Sequence, residues 1–227
     1  MCDLDWTIKY ADYLEPRTEL DFLRVYLISD RSLLPQDRFL QGIESALKGG
    51  VRALQLREKD LPAAELTSLA RAVGDLTRSH GARLFINGHP EIAAATGADG
   101  VHLGEDGVRA DEVKRAFPRL LVGVSTHSPE SAREAEARGA DFITFSPIFD
   151  TPSKRQYGPP QGLQRLRRVT ENAGIPVLAL GGIKTDNVPS VAEQGAHGVA
   201  LISGIWSSPD IEEASQQFMR FFAGESR

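Results

Sequence analysis

Short apolar segments recur along the chain at near-regular intervals, and most of them end on a small or polar residue. They are four or five residues long and rich in Val, Ile, Leu and Phe, which is typical of strands buried on both faces. The predicted strands cover residues 25–29, 53–57, 84–87, 101–104, 121–125, 142–146, 177–180 and 199–202.

Segments with a helical period lie between these strands. Apolar residues spaced by three and four form one stripe, which consists of Leu66, Leu69, Val73 and Leu76. Ser128 followed by Pro129 predicts a helix start, because serine caps helices and proline favours the first helical position. Strands that alternate with helices predict a parallel sheet, and eight such units predict an α/β protein with a closed (β/α)₈ TIM barrel.

A short repeat marks three of the predicted helix-to-strand junctions. Gly-Ala-Asp or Gly-Ala-His occurs at residues 97–99, 139–141 and 195–197, each time just before a strand. Glycine supplies the left-handed cap of a helix, so these positions are interpreted as stability devices on the amino-terminal face of the barrel. We expect one barrel domain over residues 23–224, and an N-terminal extension over residues 1–22 that packs across the barrel bottom.

Composition narrows the classes of function. The 227 residues carry a net charge of −5 with scattered Lys and Arg, which argues against a nucleic-acid partner. Cys2 is the single cysteine, so no disulfide framework is expected. Because no apolar run reaches about 18 residues, no membrane partner is expected, and a cytoplasmic location is predicted. The sequence leaves a homo-oligomer open.

Two predicted strands end on glycines near the C-terminus. Gly181 and Gly182 follow the seventh strand, and Ser203 and Gly204 follow the eighth. Consecutive N–H groups without a Cβ in front of them suit an anion, and the last two strands of such barrels commonly bind phosphate. The simpler alternative is that these glycines only end strands.

Polar residues follow several other strands, at the barrel face where chemistry is expected. Three cations there, Arg57, Lys59 and Lys154, suit an anionic ligand with more than one charged group. His127 and Ser125 are the catalytic candidates, since an imidazole transfers protons near pH 7, although His127 could simply precede a helix. The direction of the His102 side chain stays open. The remaining binding candidates are Gln55, Asn87, Thr151 and Ser153.

These motifs resemble the thiamine phosphate synthase and TenI superfamily from about Val25 to Phe221. The similar segments are residues 55–59 (Gln-Leu-Arg-Glu-Lys), 84–87, 97–104, 123–127, 146–154 and 181–183. The synthase joins a pyrimidine pyrophosphate to a thiazole phosphate with magnesium and releases pyrophosphate. The resemblance implies that the thiazole phosphate binds at Gly182, Ser203 and Gly204. It implies that pyrophosphate binds at Gln55, Arg57, Lys59, Asn87, Thr151, Ser153 and Lys154.

Two glycines depart from the synthase pattern. Gly88 and Gly107 stand where the synthase has acidic metal ligands, and Asp106 replaces the second only if its loop shifts. The TenI branch has Asn-Gly at the first position and isomerises a thiazole carboxylate phosphate without a metal, with the histidine matching His127 as the base. A small phosphorylated heterocycle is therefore the expected substrate, the tautomerase is favoured, and no cofactor is expected.

The runner-up is the synthase, which would use Mg²⁺. Two further classes stay open. One is another phosphate-binding barrel enzyme, which would need catalytic carboxylates at strand ends. The other is a sensor that keeps the phosphate grip without catalysis.

Overall fold

A computed structural model describes residues 19–151 and 159–223, and these residues include eight parallel strands that close into a barrel in sequence order. The strands are β1 (Val25–Ile28), β2 (Ala53–Leu56), β3 (Arg83–Asn87), β4 (Gly100–Leu103), β5 (Leu121–Thr126), β6 (Phe142–Phe145), β7 (Val177–Leu180) and β8 (Gly198–Leu201). β1 pairs in parallel with both β2 and β8, which closes the barrel. The predicted (β/α)₈ architecture is confirmed.

Helices follow the strands and cover the outside of the barrel. They are α1 (Phe39–Lys48), α2 (Ala63–Ser79), α3 (Pro90–Thr96), α4 (Ala110–Ala116), α5 (Pro129–Ala137), α6 (Gly162–Thr170), α7 (Val188–Ala192), α8 (Ser203–Trp206) and α9 (Ile211–Ala223). Short 3₁₀ turns span Asp21–Arg24, Arg31–Leu33 and Gln36–Arg38. No helix among the described residues is both long and apolar enough to cross a membrane.

The start of α5 is fixed by a reciprocal cap. The Ser128 side chain accepts a hydrogen bond from the Ser131 backbone N–H at 3.0 Å, and the Ser131 hydroxyl accepts one from the Ser128 N–H at 3.1 Å. Pro129 occupies the first turn, as the sequence predicts. Since His127 directly precedes this cap, the helix start also fixes the chain at a candidate catalytic residue.

The junction repeat has the conformation expected of it. The glycines at its three copies, Gly97, Gly139 and Gly195, have φ angles of +69°, +85° and +80°. Each ends a helix in the left-handed region, where a side chain would be strained. The repeat therefore turns the chain from helix to strand on the amino-terminal face of the barrel.

The barrel interior is filled with side chains. Three inward-facing rings, Tyr26, Phe85 and Phe142, meet edge to face with centroids 5.3–5.5 Å apart. They belong to a buried cluster separate from the larger apolar layer that lies between the strands and the helices. A packed interior leaves the end of the barrel as the place where a ligand binds.

The described end of the predicted N-terminal extension lies on the barrel bottom. Leu20 and Phe22 pack against the interior cluster, and the Phe22 ring stacks 6.4 Å from that of Phe85. Both also line a groove of about 890 Å³ on this face. Residues 1–18 lie outside the described part, so the division into an extension and a barrel at residues 22 and 23 stays a prediction.

Candidate active site

A chain of polar side chains runs through the carboxyl end of the barrel interior. The Gln55 amide donates to the Tyr26 hydroxyl oxygen at 3.3 Å, and that hydroxyl lies 3.3 Å from His102 Nδ1. On the other side of the ring, His102 Nε2 lies 3.1 Å from the Ser125 hydroxyl. In the tautomer that leaves Nδ1 free to accept, the Tyr26 hydroxyl donates its proton to Nδ1 while its oxygen accepts from Gln55. His102 then carries its own proton on Nε2 and donates it to Ser125.

This chain is neutral at physiological pH. Burial, together with the smaller effect of the positive charge of Arg57, lowers the pKa of His102 to about 3. Burial also raises the pKa of Tyr26 well above its ordinary value. The side chain of His102, whose direction the sequence left open, therefore points into the barrel as a fixed neutral imidazole.

The end of β2 brings the first three predicted binding residues to the same end of the barrel. Gln55 is buried, Arg57 is half-buried and Lys59 is exposed, so the alternating residues run from the interior toward solvent. The positive charge of Arg57 contributes to the lowered pKa of buried His102. A cation in this position is available to an anion that enters the barrel mouth.

His127 belongs to a second, separate network. Its Nδ1 lies 2.8 Å from the Ser146 carbonyl oxygen, which can only accept, so Nδ1 carries the proton. Nε2 is then the basic nitrogen, and it lies 3.9 Å from a carboxylate oxygen of Glu105. The imidazole is 42% exposed, unlike buried His102. Ser125 contacts His102, so the two predicted catalytic residues lie in different networks.

The glycine turn after β7 packs closely against residues that follow β6. Gly181 and Gly182 have φ angles of +100° and +66°. A Cβ on Gly181 would lie 2.8 Å from Pro147 Cα, and one on Gly182 would lie 2.7 Å from Phe149 Cβ. Conformation and contact with the segment after β6 both require glycine here, so the phosphate grip at this turn stays a prediction.

The other predicted residues take varied positions. Ser203 and Gly204 open α8 immediately after β8, with Ser203 exposed. Asn87 ends β3 opposite His102 in the strand register, and Thr151 is half-buried. Ser153 and Lys154 lie outside the described residues, so their predicted roles remain untested.

Gly88 and Gly107, which stand where metal-binding carboxylates were expected, lie in loops after β3 and β4. Gly88 has a φ of +73° and no atom within 4 Å of an added Cβ, and the Gly107 N–H donates to the Gly104 carbonyl at 3.0 Å. Asp106 is exposed in the same turn. Within the described ranges, no three His, Cys, Asp or Glu residues group around a common point. With glycine at both positions expected to supply carboxylates, the described residues do not form a magnesium site from protein ligands alone.

Four residues that form side-chain contacts at this end of the barrel were not predicted from the sequence. They are Ser29, Tyr26, Glu58 and Glu105. Tyr26 lies inside a predicted apolar strand, where it resembles any core aromatic. Glu58 lies inside the Gln-x-Arg-x-Lys element but on the alternate face. Glu105 lies in a loop without a motif of its own, whereas in the structure its carboxylate lies 3.9 Å from His127 Nε2.

Comparison with known proteins covers nearly the whole barrel. A Geobacter sulfurreducens protein, provisionally named a thiamine-phosphate synthase, is 48% identical over 92% of this chain and 98% of its own length. The thiamine-phosphate synthase of Roseiflexus castenholzii is 40% identical over 85% of each chain. The solved thiamine phosphate pyrophosphorylase of Pyrococcus furiosus superposes with a TM-score of 0.83 at 33% identity, over 89% of this chain and 96% of that one. Since the family model described as thiamine monophosphate synthase also matches residues 25–205, the chain belongs to the thiamine monophosphate synthase and TenI family.

Proposed function

We propose that this enzyme of thiamine biosynthesis is a thiamine-phosphate synthase. The reaction joins a pyrimidine pyrophosphate to a thiazole phosphate. The thiazole nitrogen forms a bond to the carbon that loses pyrophosphate, and pyrophosphate leaves with the electron pair of the broken C–O bond. The observation that carries the proposal is similarity along the whole barrel to proteins named for this reaction. Those names do not support the preference for a tautomerase that Gly88 and Gly107 suggested in the sequence.

The residues at the carboxyl end of the barrel suit two anionic substrates. Arg57, held beside the neutral His102 chain, would bind the departing pyrophosphate, and Lys59 would add a second positive charge. Stabilising charge that develops on a leaving group is commonly the largest contribution of such a site. The N–H groups at Gly182 and Gly204 would hold the thiazole phosphate. The hydroxyl of Ser125, near the end of β5, contacts His102 and would also contact a heterocycle.

A thiazole tautomerase is the second candidate, and the geometry of His127 favours it. Its Nδ1–H donates a hydrogen bond to the Ser146 carbonyl. This orients Nε2 toward the mouth, 3.9 Å from a carboxylate oxygen of Glu105. An imidazole oriented in this way can accept a proton from carbon at Nε2 and return it elsewhere on the thiazole. Gly88 and Gly107, at the positions of the expected metal carboxylates, agree with a reaction that needs no metal.

The two reactions are separated by assaying the purified full chain with both substrate sets, each with and without added magnesium. The proposal predicts release of pyrophosphate when the pyrimidine pyrophosphate and thiazole phosphate are mixed with the enzyme. Isomerisation of the thiazole carboxylate phosphate without coupling, lost in His127→Ala, would establish the tautomerase instead. Tight binding of thiazole phosphate with no turnover of either set would show a sensor.

A further inference from the structure

Glu58 is a buried carboxylate that the proposed reaction does not use. Its residue is 7% exposed, although its neighbours Arg57 and Lys59 face the barrel mouth and solvent. Strand alternation turns the Glu58 side chain away from the mouth, so it does not meet a substrate there. A carboxylate is rarely buried in this way without partners, and those partners indicate its role.

Among the described residues, the partners of the Glu58 carboxylate come from the loop after β1. One carboxylate oxygen accepts a hydrogen bond from the Ser29 hydroxyl at 2.5 Å. The other accepts from Arg31 Nε at 3.1 Å, and the Arg31 guanidinium also reaches the exposed carboxylate of Asp60 at 2.8 Å. Glu58 therefore joins the ends of two neighbouring strands through a charge-assisted pair and a short hydroxyl bond.

Ser29 extends this connection to Arg57, the residue that directly precedes Glu58. Its hydroxyl donates to Glu58 and accepts from the Arg57 backbone N–H at 2.8 Å, while its own N–H donates to the Gln55 carbonyl at 2.8 Å. The single proton of the Ser29 hydroxyl is donated in the hydrogen bond to Glu58. The lone pairs of the Ser29 oxygen are therefore turned toward the Arg57 N–H. The carboxylate thus fixes the backbone from which the Arg57 side chain projects.

We propose that Glu58 is a positioning residue that holds Arg57 for pyrophosphate binding, acting through Ser29. The inference rests on the proposed function only in assigning pyrophosphate to Arg57. If a neutral amide replaces the carboxylate, a single oxygen must serve both Ser29 and Arg31, so the Ser29 hydroxyl is held less firmly as the acceptor for the Arg57 N–H. The guanidinium then reaches the ligand from a wider range of positions, which weakens binding without removing any group that touches substrate.

The test uses the full-length chain with Glu58→Gln, and inorganic pyrophosphate as the probe in titration calorimetry. Asp60→Asn is the matched control. It makes the same chemical change in the other carboxylate that contacts Arg31, and the Asp60 side chain is 74% exposed. We expect pyrophosphate affinity to fall about tenfold in Glu58→Gln, which corresponds to about 1.4 kcal/mol. The control should stay within about twofold, and KM for the pyrophosphate substrate should rise more than kcat falls.

A double-mutant cycle distinguishes positioning from a general structural role. In an Arg57→Gln background, Glu58→Gln should have no further effect on pyrophosphate affinity, because the group that it positions is absent. An equal loss in both backgrounds would overturn the inference, as would unchanged affinity in Glu58→Gln. Should Glu58→Gln not fold, Ser29→Ala removes the same connection and enters the same cycle. If wild-type protein binds no pyrophosphate, the proposed function fails first, and this inference fails with it.

Discussion

At the scale of single residues, burial separates the two histidines of the barrel mouth into different chemical roles. His102 is enclosed and its pKa is lowered to about 3, whereas His127 is 42% exposed and its Nε2 faces a carboxylate. The motif positions could be predicted from sequence because they fall at strand ends. The His102 direction and the role of Glu58 could not, because both depend on contacts between different strands.

The buried neutral state of His102 predicts a pH dependence of stability. In the unfolded chain the pKa of a histidine is near 6.5. Between that pH and about 3, His102 is therefore protonated in the unfolded state and neutral in the folded state. The free energy of unfolding should therefore fall as the pH is lowered through this window. This one group contributes a slope of up to about 1.4 kcal/mol per pH unit.

Urea unfolding between pH 5 and pH 7 measures this slope, and His102→Gln is the comparison. The variant should show a shallower loss of stability on acidification than the wild type, whatever its stability at pH 7. Parallel curves for the two proteins would mean that His102 does not remain neutral when folded.

At the scale of elements, local signals were enough to predict the barrel. Every strand begins and ends within one residue of its predicted bounds. The apolar runs and glycine junctions that mark the strands are patterns of neighbouring residues, so they can be recognised in the sequence. Why positions 181 and 182 require glycine could not be predicted from such local signals. Both glycines are required by close approach of residues after β6, more than thirty positions earlier in the chain. Such a contact between neighbouring strand ends leaves no local pattern.

The cap of α5 gives the prediction for this scale. Ser128→Ala removes the acceptor for the Ser131 N–H and should lower the free energy of unfolding by about 1 kcal/mol. Ser68→Ala is the control, since Ser68 is exposed within α2 and donates only to its own helix. Chemical denaturation should separate the two variants. Equal stabilities would show that the cap contributes nothing beyond helix propensity.

At the scale of the whole molecule, a filled barrel interior leaves the carboxyl end for a site, and the two predicted kinds of anion-binding group lie there. Cations at the end of β2 would hold pyrophosphate, and N–H groups after β7 and β8 would hold thiazole phosphate. The family could be predicted from sequence because its motifs cover the whole barrel. The reaction is harder to predict, since the phosphate grip is common to both branches and only local loops differ.

The most direct test is a crystal structure of the full chain grown with inorganic pyrophosphate and thiazole phosphate together. The account predicts pyrophosphate oxygens within hydrogen-bond distance of the Arg57 guanidinium, and the thiazole phosphate on the N–H groups of Gly182 and Gly204. Pyrophosphate bound without contact to Arg57, or thiazole phosphate bound away from both glycine turns, would contradict it.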